Sequence, residues 1–204
     1  NRQGTSGASH EQETTGVRRL QKENEWLLPN ATEIHMNKDR QQHLLARVEI
    51  LDVLALYVRG VDRADGPLLK SCYHPDAIEE HAGNYTGNAH EYVDGAMERV
   101  RQMGTMQHLL GSSHIEFDGN RAWVETNLWT FLRMDIDGIA TDTITGGRLI
   151  DRFEYRDDAW KIAHRRTILD WKRYTPAAVC WCNGFFDFNY LGALCGSIDD
   201  DDPS

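Results

Sequence analysis

In Tyr57-Val58-Arg59-Gly60-Val61-Asp62 a carboxylate follows directly on a helical run whose Leu44, Leu45, Val48, Leu51, Leu54 and Val58 form the expected buried face. By itself such an aspartate reads as a solvated helix end. Pointed inward, it becomes a group for the interior to use. The last apolar stretch raises a similar question. Trp160-Lys161-Ile162-Ala163-His164-Arg165-Arg166-Thr167 alternates, so His164 and Arg166 face one way and Arg165 the other. One guanidinium must then meet the buried face of its sheet. There it needs an anionic partner or ligand, because an unpaired buried charge costs several kcal/mol.

Other groups carry weaker signals. His74 and His81 flank a first strand with Asp76, Glu79 and Glu80, a set chemically able to hold a metal. Without His-x-x-x-His or Cys-x-x-Cys spacing, the expectation is no metal. Cys180-Trp181-Cys182 reads as packing rather than redox chemistry. Glu125, Asn127, Trp129 and Phe131 share one strand face and would line an aromatic pocket if that face is inward; core packing is the competing reading. His108 alone reads as a strand histidine, and His114, of the same parity, as a solvent-facing one.

The elements that must hold these groups follow from periodicity. Residues 1–16 are polar and aperiodic, an arm without a core of its own. A short helix is expected over Val17–Leu28, and a strong one over Asn37–Val61, stopped by Gly60. Gly66-Pro67 opens a brief second helix, while Asn88-Ala89-His90-Glu91 has the form of a capping box for a third, ending near Met103 at Gly104. Then the pattern changes. His108–Phe117, Ala122–Met134, Ile139–Tyr155 and Trp160–Tyr174 are rich in β-branched and aromatic residues, separated by short Gly-, Asn- and Asp-containing turns. Three helices followed by an antiparallel meander predict an α+β domain, helices on one face of a curved sheet.

In that frame, Tyr57-x-x-Gly60-x-Asp62, Tyr73-His74-Pro75-Asp76-Ala77, His108-Leu109-Leu110-Gly111 with Ile115-Glu116-Phe117-Asp118-Gly119, and Asp151-Arg152-Phe153-Glu154-Tyr155-Arg156-Asp157 with Trp160 through Arg166 resemble the SnoaL-like branch of the NTF2-like superfamily. The order and spacing of the four segments together carry the resemblance, over residues 40–175. It implies an NTF2-like, cone-shaped α+β barrel, with N-terminal helices packed on a strongly curved, mostly antiparallel sheet. It also implies the machinery of that branch's cofactor-free lyases, such as hexachlorocyclohexane dehydrochlorinase, bile-acid dehydratase and scytalone dehydratase: an Asp–His dyad in a cavity. On this match Asp62 is the dyad aspartate, His108 the histidine, Tyr57 the pocket tyrosine and Arg165 the pocket arginine, with Arg166 adjacent. Trp129, Phe131, Asn127 and Arg166 would then meet the substrate.

The side-chain chemistry is consistent with that assignment. Histidine is the side chain suited to take a proton from carbon near neutral pH. A carboxylate on its far ring nitrogen fixes the tautomer, and an arginine and a tyrosine stabilise developing or departing negative charge. No metal or cofactor is needed for such a β-elimination. The expectation is a lyase acting on a hydrophobic cyclic or aromatic molecule by dehydration, dehydrohalogenation or loss of formaldehyde. An isomerase or cyclase of the polyketide-processing type, or a non-catalytic subunit like that of ring-hydroxylating dioxygenases, are the alternatives.

Composition bounds the rest. The sequence has 204 residues and a formal net charge of −10, unsuited to nucleic acid, whose phosphates demand a basic face. Part of that charge is a solvated acidic run, Asp199–Asp202. The four cysteines, Cys72, Cys180, Cys182 and Cys195, do not make a disulfide framework. No stretch reaches about 18 consecutive apolar residues and no basic-then-apolar leader opens the sequence, so a reduced, cytoplasmic protein without membrane contact is expected. Three parts are expected: an arm over 1–36, the domain over 37–175 and an aromatic, acidic-ended segment over 176–204. The apolar residues from Trp181 to Leu194 should close the cavity or dock on a second copy, in a dimer or trimer.

Overall fold

The computed structural model describes residues 38–103 and 105–177. The arm, the Val17–Leu28 segment, Gly104, Cys180, Cys182, the Trp181–Leu194 segment and the acidic run lie outside the described residues. The chain divides into two units, Asn1–Gln41 and Gln42–Ser204. Of the first, only the opening of helix α1 (Lys38–Asp62) is described, and the second holds everything below.

Helix α1 seats on Ala46, Ile50, Leu54 and Tyr57, spaced four, four and three residues apart. This corrects the leucine-rich face expected from sequence, because Leu44, Leu45, Val48 and Leu51 are exposed. Both sets repeat with the helical period, and periodicity cannot choose between two apolar stripes on one helix. The helix also runs past Gly60 to Asp62. Its end is made by Ala64, in the left-handed region at φ 51°, and by the Asp65 N–H, which donates to the Gly60 carbonyl at 2.8 Å. Gly60 instead permits close approach, since a Cβ there would lie 3.0 Å from the Leu69 backbone nitrogen. Asp65 caps helix α2 (Gly66–Ser71), its Oδ1 accepting from the Leu68 N–H at 2.9 Å.

Strands β1 (Tyr73–His81) and β2 (Tyr85–Asn88) form a hairpin that leads into helix α3 (Ala89–Arg101). Asn88 caps α3, its side-chain oxygen accepting from the N–H groups of His90 and Glu91. Four long strands follow: β3 (Thr105–Asp118), β4 (Arg121–Ile136), β5 (Ile139–Arg156) and β6 (Ala159–Pro176). Positive φ at Gly119, at Asp137 and Gly138, and at Asp157 and Asp158 forms the three tight turns between them.

The sheet order is β2-β1-β6-β5-β4-β3, antiparallel throughout except between β1 and β6. The sheet is open, with β2 and β3 as its edges, so the barrel expected from the resemblance is not a closed one. Ile50 and Leu54 of α1, Val93 of α3, and Val124, Phe153 and Ile162 of the sheet belong to one buried core. Among the described residues no helix is long and apolar enough to cross a membrane.

Candidate active site

One cavity of about 700 Å³ is lined by residues of all three helices and all six strands. Both edges of the sheet contribute, Tyr85 from β2 and His108 from β3, so the strands curl around this space. Its size is that of an ordinary small-molecule pocket. Much of the wall is apolar, including Val61, Leu69, Met106, Leu128 and Leu132.

The last turn of α1 and the first residues of β3 meet at this wall. Asp62, at the helix end, accepts twice from one residue. Its Oδ2 takes the backbone N–H of His108 at 2.9 Å, and its Oδ1 lies 2.6 Å from His108 Nδ1. With the carboxylate ionised, Nδ1 carries the ring proton and Nε2 is left as an unprotonated nitrogen. The two bonds tie the helix end to the strand at His108 and fix how the imidazole is turned. Asp62 and His108 side chains are each 12% exposed. His108 lines the cavity and Asp62 stands behind it.

Tyr57 also lines the cavity, one and a half turns before Asp62 on α1. Burial pushes its phenol up to about 12, with nearby Arg165 opposing the shift, so the hydroxyl keeps its proton across the ordinary pH range. Arg165 sits behind that ring, its guanidinium carbon 3.9 Å from the ring centre.

Arg165 was expected to reach the pocket; it does not line it. Its Nε and Nη2 each donate to a carboxylate oxygen of Asp151 at 2.7 Å, and both side chains are fully buried. Burial works against the guanidinium charge, but Asp151 overcomes it and holds the pKa well above the usual value. Asp151 is the anionic partner that the alternation of β6 required without identifying. The available signal was its parity with Phe153 in Asp151-Arg152-Phe153.

Arg166 is placed on the opposite face. It donates from Nε and Nη2 to Glu80, which also bonds His164 at 2.7 Å. These contacts, Arg166 first, pull the Glu80 carboxyl down to about 2. Arg166 therefore does not meet a ligand in this cavity.

The aromatic wall expected on β4 is also corrected. Ala122, Val124, Thr126 and Leu128 are buried, and Leu128, Thr130 and Leu132 line the cavity. The other parity faces out: Asn127 is exposed, Trp129 is 55% exposed, and neither they nor Phe131 line the cavity. Trp129 instead packs edge-on against Trp171, ring centres 5.4 Å apart, on the outer surface of the sheet. The guanidinium that does line the cavity belongs to Arg99 of α3.

The acidic and histidine residues around β1 separate rather than converge. Asp76 accepts from Arg156, His74 Nε2 contacts the Glu154 carbonyl, and Glu80 belongs to the outer face. Glu79 and His81 remain together, with Oε1 3.1 Å from Nδ1, and His81 lines the cavity. Among the described residues no group of three or more His, Cys, Asp or Glu side chains could hold a metal ion.

The model of the SnoaL-like domain family matches residues 42–166, well over half of the chain. No curated protein matches. Among solved structures, a type-2 hexachlorocyclohexane dehydrochlorinase, LinA, aligns with a TM-score of 0.60 at 20% identity, covering 74% of this chain and 97% of that one. LinA-type3 from Novosphingobium barchaimii gives 0.58 at 20% identity, covering 68% and 94%. A protein described as a candidate scytalone dehydratase, from Novosphingobium aromaticivorans, gives 0.58 at 18% identity, covering 69% and 93%. At these identities the likeness is one of fold.

Proposed function

The chain belongs to the family of SnoaL-like domains, and from that membership we propose that it is a cofactor-independent lyase acting on a hydrophobic cyclic or aromatic small molecule. The observation that carries the reading is the two-point hold of Asp62 on His108 at the wall of a cavity large enough for such a molecule. The dehydrochlorinase and dehydratase names of the structural neighbours point to the same class of reaction.

In the reaction, His108 Nε2 takes a proton from the carbon beside an electron-withdrawing group. The electron pair released forms the new double bond, and the leaving group departs with the electrons of its own bond to carbon. Asp62 keeps Nδ1–H in place and stabilises the imidazolium as it forms. Tyr57, a neutral phenol, donates to the substrate oxygen on which charge develops. Arg165 acts through Tyr57 as a positioning residue, its charge held against the back of the ring. Arg99 is placed to meet an anionic group of the substrate.

The oriented histidine at the cavity wall is what favours an enzyme over a non-catalytic binding module. The test is a panel of cyclic and aryl substrates carrying hydroxyl, halide or hydroxymethyl leaving groups. His108→Ala and Asp62→Asn should each lower turnover of the accepted substrate at least about 100-fold, with circular dichroism unchanged. Undiminished turnover in both variants would sink this mechanism.

A further inference from the structure

We propose that Glu79 and His81 form a second acid–base pair in the same cavity, and that it suits the site to leaving groups that depart with a proton, hydroxyl rather than halide. The inference rests on the elimination reading above and deepens it.

The pair is built much as the first one is. His81 Nδ1 lies 3.1 Å from Glu79 Oε1, and its ring stacks on Tyr92 at 4.8 Å, which fixes its plane. Both His81 and His108 line the cavity, one from the end of β1 and one from the start of β3. In the sheet order three strands, β6, β5 and β4, separate β1 from β3, so the two imidazoles approach the cavity from different walls. That suits an elimination, in which one group takes a proton from carbon while another gives one to the atom leaving the neighbouring carbon.

The setting also fixes the orientation of His81. Glu79 is fully buried. Its Oε2 accepts from the Tyr73 hydroxyl at 2.9 Å and its Oε1 from Thr167 at 3.5 Å, both neutral donors. The guanidinium of Arg165 donates to Asp151 from Nε and Nη2, and its buried Nη1 has no hydrogen-bond partner. Among the partners of Glu79, His81 is the one that also lines the cavity, so the carboxylate holds Nδ1 and turns Nε2 away from itself. The His81 side chain is 34% exposed against 12% for His108, so it can exchange its proton with solvent between turnovers.

The step balances. His108 Nε2 takes the proton from carbon, the carbon–hydrogen electrons form the double bond, and the carbon–oxygen bond breaks with its electrons going to oxygen. His81 Nε2–H gives its proton to that oxygen, and water leaves. His108 ends protonated and His81 neutral, and solvent resets both. A halide departs as the anion and draws nothing from His81.

The probes are the β-hydroxy and β-chloro derivatives of tetralone, whose eliminations give the same naphthol after enolisation. In His81→Gln, the ratio of kcat/KM for the hydroxy over the chloro probe should fall about 100-fold, the usual scale for a lost general acid. The other charged or titratable groups around His81 are Glu79 on β1, Tyr85 on β2, Tyr92 and Arg99 on α3 and Arg165 on β6; Glu79→Gln should move the ratio the same way. An unchanged ratio in both variants overturns the second pair. If Asp62→Asn and His108→Gln leave both rates intact, the elimination reading itself fails. Histidine-selective 15N spectra of the full chain test the acid without turnover: it requires a proton on His81 Nε2 at the working pH, with Nδ1–H held on Glu79, and a bare Nε2 overturns it.

Discussion

At the scale of single residues, the site depends on which face of an element each side chain takes. Asp62 was ambiguous because a carboxylate at a helix end is ordinarily solvated. Here it is buried, and both of its oxygens are used by His108. Tyr57, about one and a half turns earlier on α1, lines the same cavity, and burial keeps its hydroxyl protonated up to about 12. Tyr57→Phe removes one preorganised donor and leaves the ring on Arg165 intact. It should lower kcat by about 100-fold with little change in KM, checked on whichever substrate the leaving-group panel identifies. A change confined to KM would make Tyr57 a binding group only.

At the scale of elements, the long strands are set by a row that sequence patterns do not reveal. Trp129 of β4 pairs with Gly146 of β5, and Gly146 with Trp171 of β6, so two indoles meet over a residue with no side chain. The register of β5 against β6 shifts at the next position, Gly147, where a Cβ would lie 2.2 Å from the Ile168 carbonyl oxygen. That neighbour is backbone and cannot turn aside. Gly147→Ala should therefore lower unfolding stability by about 2 kcal/mol, read from the urea midpoint at unchanged slope. Gly147 also lines the cavity, so the same variant should weaken ligand binding. An unaltered midpoint would mean that β6 can shift away at this point.

At the scale of the whole molecule, buried groups link folding to pH. Burial raises the Cys72 thiol from 9.0 to about 11 and the Tyr57 phenol from 10.0 to about 12. Well below pH 9 both are protonated, folded or unfolded, and neither makes stability depend on pH. Above it the unfolded chain ionises first, so stability should fall from pH 9 to about 12, by about 1.4 kcal/mol per pH unit for each titrating group. Urea unfolding across that range checks the slope, and Cys72→Ala should remove its lower part. Much of this molecule was legible in the sequence. Helical and alternating periods located α1, α3 and the four long strands, because backbone hydrogen bonding imposes those periods on any chain that buries one face. Asn88 and the three tight turns were legible for the same local reason, a side chain or a φ value acting within a few residues. The order of the motifs brought Asp62, His108 and Tyr57 forward together. What the sequence left open was orientation: which of two apolar stripes α1 buries, which parity of β4 faces inward, and whether Arg165 meets a ligand or Asp151. Those choices depend on contacts between residues far apart in the chain. A local period is the same whichever side is turned inward, and only the packing of α1 and α3 against the sheet, with β1 laid parallel to β6, breaks that tie.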